Sequence, residues 1–175
     1  MPHRLTAALV ASAALLASAS AAPAATTPGL WVTINRCDGP RSPDQMGVRA
    51  QMPGNGTRQR MYVRFRAQWW DSQQEDFNPL RGPGGRSPLL YVGSARYQSH
   101  QAGWTFRIKL PAFTGFTLRG VAEFQWRAKK RKRGRKRGKK RWVVVRRASR
   151  VTKAGFAGVK GGDPPTLSEA LCWIH

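Results

Sequence analysis

The feature that most constrains the fold is a strict two-residue alternation of apolar and polar side chains. It is cleanest where Phe116, Leu118, Gly120, Ala122, Phe124 and Trp126 alternate with Thr117, Arg119, Val121, Glu123, Gln125 and Arg127. Successive side chains of an extended chain point to opposite faces, so a segment of this kind is a strand with one buried face. Trp104, Phe106, Ile108 and Leu110 alternate with Thr105, Arg107 and Lys109 in the same way, and Leu30, Val32 and Ile34 alternate with Trp31, Thr33 and Asn35. Met61, Val63, Phe65, Ala67 and Trp69 share a face, with Arg64, Arg66 and Gln68 on the other. No helical period competes with this pattern, and residues 166–171, after Pro164-Pro165, have room for one turn at most. Such a chain must pair its strands and bury their apolar faces against a second sheet.

The other segments read less cleanly. Residues 46–52 and 59–70 flank Pro53-Gly-Asn-Gly56, whose Gly and Asn tolerate a tight turn, and together they predict a hairpin. Residues 78–88 are rich in Pro, Gly and Arg and predict a loop, followed by a short strand over 89–92. Residues 141–150 predict a strand whose register is open, because Trp142-Val-Val-Val145 is apolar on both faces. Residues 170–174 predict a last short strand. The total is about seven strands, the pattern of a single antiparallel all-β sandwich.

The amino terminus points to export. Met1-Pro-His-Arg4 is positive, residues 5–20 are apolar or small, and Ser20-Ala-Ala-Pro-Ala24 offers a cleavage site, which together predict a signal peptide over residues 1–24. The sixteen residues of 5–20 fall short of the ~20 needed to span a bilayer. Leu110-Pro-Ala-Phe-Thr-Gly115 loosely resembles a cell-wall sorting signal but has one residue too many and no apolar tail after it, so it reads as a turn. Removing 24 of the 175 residues leaves 151, enough for one domain with its own core. The only two cysteines, Cys37 and Cys172, lie near the ends of that remainder. In an oxidising compartment they predict a disulfide, which constrains the unfolded chain by roughly 4–5 kcal/mol in the loop-entropy account.

The segment Trp104-Thr-Phe-Arg-Ile-Lys-Leu-Pro-Ala-Phe-Thr-Gly-Phe-Thr-Leu-Arg-Gly-Val-Ala-Glu-Phe-Gln-Trp-Arg127 reads as a penultimate strand pair joined by a short corner. In this it resembles the immunoglobulin-like and fibronectin-III-like domains of secreted actinobacterial proteins, over the second half of the mature chain. The resemblance implies an immunoglobulin-like β-sandwich with the segment after Arg127 in the loop between the last two long strands, a common position for ligand contact. It departs from antibody-type domains in its cysteines, which link first and last strands rather than the middle of the two sheets.

Charge narrows the function further. The chain carries 31 Lys and Arg against 8 Asp and Glu, a formal charge of +23, and no acid lies between Glu123 and Asp163. The excess is concentrated in Arg127, Lys129, Lys130, Arg131, Lys132, Arg133, Arg135, Lys136, Arg137, Lys139, Lys140 and Arg141. The connection over 128–141 exceeds the usual hairpin loop of about 2–5 residues. It is either a solvated loop or a continuation of its two flanking strands as a basic ribbon turning near Gly134 to Gly138. Its field attracts polyanions, and Trp126 and Trp142 at its base offer stacking faces.

These features predict a secreted, non-enzymatic binding module without cofactor or metal. Its expected partner is an anionic polymer: a wall polymer, an acidic polysaccharide or extracellular nucleic acid, with peripheral contact to an anionic membrane as a further option. The alternatives are a carbohydrate-binding sandwich using Trp31, Trp70 or Trp142, and a structural domain whose charge is incidental. Catalytic constellations are absent from the pattern: the mature chain has only His100 and His175, and no Ser or Cys sits in a nucleophile motif. Asp71, Glu75 and Asp76 lack the spacing of a calcium loop and predict a solvated turn. Asn55-Gly-Thr57 fits the glycosylation acceptor pattern, but the Gly-rich turn accounts for it. Mass spectrometry of the exported protein should show loss of about the first 24 residues and of two hydrogens at the cysteines. Alkylation of both thiols in the native, unreduced protein contradicts the bridge.

Overall fold

The computed structural model describes residues 29–109, 115–131 and 140–175. The expected signal peptide, most of the sorting-like stretch at 110–114, and Lys132, Arg133, Arg135, Lys136, Arg137 and Lys139 lie outside the described residues.

Among the described residues, nine strands form two antiparallel sheets. β1 (Trp31–Gly39), β2 (Ser42–Pro53) and β6 (Ser99–Arg107) make a three-stranded sheet in the order β1-β2-β6. β4 (Asp76–Pro79), β3 (Arg60–Asp71), β7 (Phe116–Lys130) and β8 (Arg141–Val151) form the second in that order, and β5 (Leu90–Ser94) and β9 (Cys172–Ile174) add to β3 and β7. Two short strands, β4 and β5, sit where sequence punctuation suggested only a loop and one strand. The stretch between them holds a single 3-10 turn, Pro83–Gly85.

The alternation places the core between the sheets. Ile34, Met46, Val48 and Phe106 of the small sheet face Met61, Val63, Phe65, Leu118, Phe124 and Trp126 of the large one, all essentially inaccessible. Alternation works because burying each such side chain contributes roughly 1.5–3 kcal/mol, and a slip of one residue would bury Arg64 and Arg66 instead.

Two sequence expectations are corrected. Residues 46–52 and 59–70 do not form a hairpin: β2 pairs with β1 and β6, whereas β3 pairs with β4, β5 and β7. The Pro53-to-Gly56 turn carries the chain from one sheet to the other. It is held by Gly54 N–H to the Gln98 carbonyl (2.7 Å) and Asn55 N–H to the Ala95 carbonyl (2.8 Å). A Cβ on Gly54 would overlap the Tyr97 carbonyl, so the close approach requires glycine. Asn55 is used in its own turn, its Oδ1 accepting from Thr57 N–H at 3.1 Å. The open register of β8 is also resolved. Trp126 pairs with Arg146 and Arg127 with Val144, so Val145 is the extra residue of a bulge. A bulge moves the side chains on either side of it out of simple alternation, which is why three valines in a row read as apolar on both faces.

The segment after β8 explains a burial that periodicity does not. Thr33 and Asn35 point away from the core yet are buried. Thr33 Oγ1 lies 2.9 Å from Ser168 Oγ, and Asn35 Nδ2 donates to the carbonyls of Lys160 (3.1 Å) and Gly161 (2.9 Å). The same segment closes the free edge of β1: Ile34 and Glu169 exchange two backbone hydrogen bonds, and Asp163 N–H donates to the Asn35 carbonyl. Trp31 stacks on Phe156 with ring centroids 5.1 Å apart. An exposed strand edge is a template for aggregation, and here the chain covers its own. The last strand carries the disulfide. Cys37 on the small sheet bonds Cys172 on the large one across 135 residues of sequence, so the bridge joins the two sheets through their first and last strands.

Truncation of Phe124, which is fully buried, should cost roughly 3–5 kcal/mol in denaturant unfolding through the cavity it leaves. Gln125→Ala, on the outward face, should cost under about 1 kcal/mol. Equal losses at the two positions contradict the register of β7.

Candidate functional site

Where β7 leaves the body of the sandwich it loses one of its two partners. β3 pairs with β7 only as far as Arg60 opposite Arg127, whereas β8 continues through Ala128–Val143, Lys129–Trp142 and Lys130–Arg141. Beyond Arg127, therefore, β7 and β8 continue as a two-stranded ribbon as far as Lys130 and Arg141, and the remainder of the basic connection, where a turn near Gly134 to Gly138 was expected, lies outside the described residues. Arg127, Lys129, Lys130, Arg131, Lys140 and Arg141 sit on this ribbon or at its described ends. Lys129, Lys130, Arg131, Lys140 and Arg141 are exposed.

A ribbon of two strands is only marginally stable in water by itself, and its base is tied down by cations on aromatic rings. Trp142 lies opposite Lys129 in the ladder, whose Nζ is 5.5 Å from the ring centroid. The Arg60 guanidinium reaches across from β3 to sit 4.3 Å above the same ring. Such contacts contribute about 0.5–1 kcal/mol each at exposed sites. Beside the ribbon base, a groove of about 550 Å³ is lined by Arg58, Gln59, Lys129, Lys140 and Trp142.

Trp126 is not a stacking face. It is wholly buried beneath the sheet, with the Arg146 guanidinium 4.7 Å from its ring centroid. Its position in the apolar phase of β7 decides this, and the long stem of Arg146 covers the core at the sheet edge. Trp142 is half-buried and takes Arg60 on its ring. The two other tryptophans considered for sugar binding lie apart from it. Trp31 is stacked on Phe156 over the small sheet, and Trp70, 39% exposed, leans on Phe77 at the β3–β4 hairpin. That hairpin holds the acids Asp71, Glu75 and Asp76. Asp71 Oδ1 accepts from the backbone of Gln73 (2.9 Å) and Oδ2 from Asn78 Nδ2 (3.1 Å), the bonding of a closed turn. Among the described residues no group of three or more His, Cys, Asp or Glu side chains has metal-binding geometry.

Sequence reasoning missed the outward face of the large sheet. Arg127 stands 4.7 Å over Tyr62 and is fixed by Gln125 Oε1, which accepts from its Nε (3.2 Å) and Nη2 (2.8 Å). Arg119 stands 4.0 Å over Phe77. Glu123, in the middle of this face, is paired with Arg66 and lies 4.0 Å from Arg86. The signal was present in the polar phases of β3 and β7, which read Arg60, Tyr62, Arg64, Arg66 and Arg119, Glu123, Gln125, Arg127. Only the pairing of the two strands brings those phases together. Arg49 on the small sheet is a cation of another kind. Its Nε donates to the Lys160 carbonyl (2.8 Å), and desolvation by burial lowers its pKa, so it fastens the covering segment.

Compared with protein-family models, with curated proteins and with solved structures, the chain gives no significant match.

Trp142→Ala should leave the melting temperature of the sandwich within about 4 °C while amide exchange at 128–130 and 141–143 quickens at least about tenfold. Loss of protection at Phe124 to the same degree contradicts a ribbon separable from the body.

Proposed function

We propose that this chain is an exported, non-catalytic module of immunoglobulin-like architecture that binds anionic polymers through the ribbon of β7 and β8. The observation that carries this reading is the projection of a paired, cation-bearing ribbon beyond the sandwich, in a stretch of sequence with no acid between Glu123 and Asp163. Like charges this dense repel one another and weaken the folded state. The ladder that pairs Lys129 with Trp142 and Lys130 with Arg141 fixes the spacing of these cations along one side of a ligand. The Cys37–Cys172 bridge is compatible with an oxidising compartment, where partners are wall polymers, acidic polysaccharides and shed nucleic acid. The strand orders β1-β2-β6 and β4-β3-β7-β8, with chain crossings between β2 and β3, between β5 and β6 and between β6 and β7, support the immunoglobulin-like reading.

A sugar platform needs neighbouring aromatic faces open to solvent. Trp31, Trp70 and Trp142 lie in separate places, each already in contact with a ring or a guanidinium. The polyanion reading is therefore preferred.

Affinity for a polyanion should fall on the order of a thousandfold between about 50 and about 200 mM salt, if roughly half of the twelve basic residues neutralise ligand charges. Replacing residues 129–141 by a short Gly-Ser turn should remove most of that slope and leave the fold intact, because the ribbon gives no side chain to the core. Fluorescence anisotropy with a labelled oligonucleotide and with heparin measures both. An unchanged affinity and slope in the replaced variant contradicts the ribbon as the site, and no binding to either probe contradicts the function.

A further inference from the structure

The outward face of the large sheet combines cations and rings in a way that electrostatic capture alone does not require. Across β5, β3, β7 and β8, Tyr91, Tyr62, Arg127 and Trp142 follow one another, with Arg60 lying over both Trp142 (4.3 Å) and Tyr91 (5.8 Å). Tyr62 and Tyr91 are themselves in contact, centroids 5.4 Å apart. Tyr91 is 58% exposed although it sits mid-strand. Three strand spacings separate β5 from β8, roughly 14 Å. That is the scale on which aromatic sheet faces stack two or three bases.

Further along the same face a groove of about 440 Å³ is lined by Arg64, Arg86, Glu123, Gln125, Arg147 and Ser149. The carboxylate of Glu123 is taken by Arg66 and approached by Arg86. Arg64 keeps a buried Nε without a hydrogen-bond acceptor among the described residues. A buried donor left without an acceptor is costly, and an anionic oxygen entering between Arg64 and Arg147 would supply one.

From this we infer that the outward face of the large sheet binds single-stranded nucleic acid, with bases stacked on Tyr91 and on the guanidiniums of Arg60 and Arg127, and a phosphate in the groove between Arg64 and Arg147. The inference rests on the polyanion reading and names the ligand class. The stacked guanidiniums decide between ligands. Each is a cation set over a ring on the outward face, which attracts the π-face of a base, whereas the C–H face of a sugar carries partial positive charge and gains nothing there. A duplex hides its base faces and meets only the cations.

The test uses the whole chain with a single-stranded oligonucleotide containing 2-aminopurine, the same strand as a duplex, and heparin. Binding of the single strand should quench 2-aminopurine. Tyr91→Ala should weaken single-strand binding on the order of tenfold, remove the quenching, and leave both the salt slope and heparin affinity unchanged. Tyr91→Phe should restore both signals. Arg64→Ala should lower the salt slope for the single strand by about one. Equal weakening of all three ligands by Tyr91→Ala, or no effect on any, overturns the platform while leaving the ribbon reading standing. A full effect of Tyr91→Ala combined with no effect of replacing residues 129–141 supports the platform and overturns the ribbon reading.

Discussion

Hydrogen bonding of β7 along both of its edges is the constraint on which the rest of the structure depends. Over Leu118–Arg127 its first edge is paired with β3, and its second is shared by β9 at Phe116–Leu118 and β8 from Val121 onward. Its inward side chains Leu118, Ala122, Phe124 and Trp126 occupy the centre of the core. One end of β7 is tied through β9 to the disulfide and thereby to the small sheet. The other end, some 12 residues away or roughly 40 Å, runs out as the basic ribbon. Covalent closure and concentrated charge thus sit at opposite ends of a single strand. The self-repulsion of the ribbon is kept far from the place where first and last strands meet.

The two faces of the sandwich are built differently. Over the small sheet the chain after β8 folds back, takes up the donors of Thr33 and Asn35, and receives the Arg49 guanidinium at the Lys160 carbonyl. That face is internal in all but name. Over the large sheet nothing in the described residues folds back. Its polar phase presents arginines held over Tyr62, Phe77 and Trp142, with Glu123 neutralised by its own neighbours. A stacked guanidinium has already lost most of its rotamer freedom. A ligand meeting such a face therefore orders less of the protein as it binds.

How much of this was legible in the sequence follows from which forces act locally. Alternation in Phe116 to Trp126 and Met61 to Ala67 reported the inward phase correctly, because the inward phase of a central strand is set by a single partner sheet, although Val121 of the outward phase is buried as well. The pairing of Cys37 with Cys172 was legible because no other cysteine competes. What failed was information held between distant residues. Pro53-Gly-Asn-Gly56 has the composition of a hairpin turn, yet whether a turn stays in one sheet or crosses to the other depends on where β6 and β7 lie. The burial of Thr33 and Asn35 depends on a covering segment some 130 residues downstream. The bulge at Val145 hid the register of β8. At the candidate site the cations were plain from composition, but their stacking partners Tyr62, Tyr91 and Phe77 lie on β3, β5 and β4, and only strand order brings them beneath Arg127, Arg60 and Arg119.

On the proposed reading, this molecule has one binding side, made of the ribbon and the outward face of the large sheet, and one structural side, made of the small sheet and its covering segment. A backbone amide shift map of the protein titrated with a single-stranded oligonucleotide addresses it directly. The account predicts perturbations at 127–131 and 140–144 together with Arg60, Tyr62, Arg64 and Tyr91, and silence across 33–36, 47–51 and 155–169. Perturbations centred on the small sheet and its covering segment, with the ribbon unmoved, contradict it.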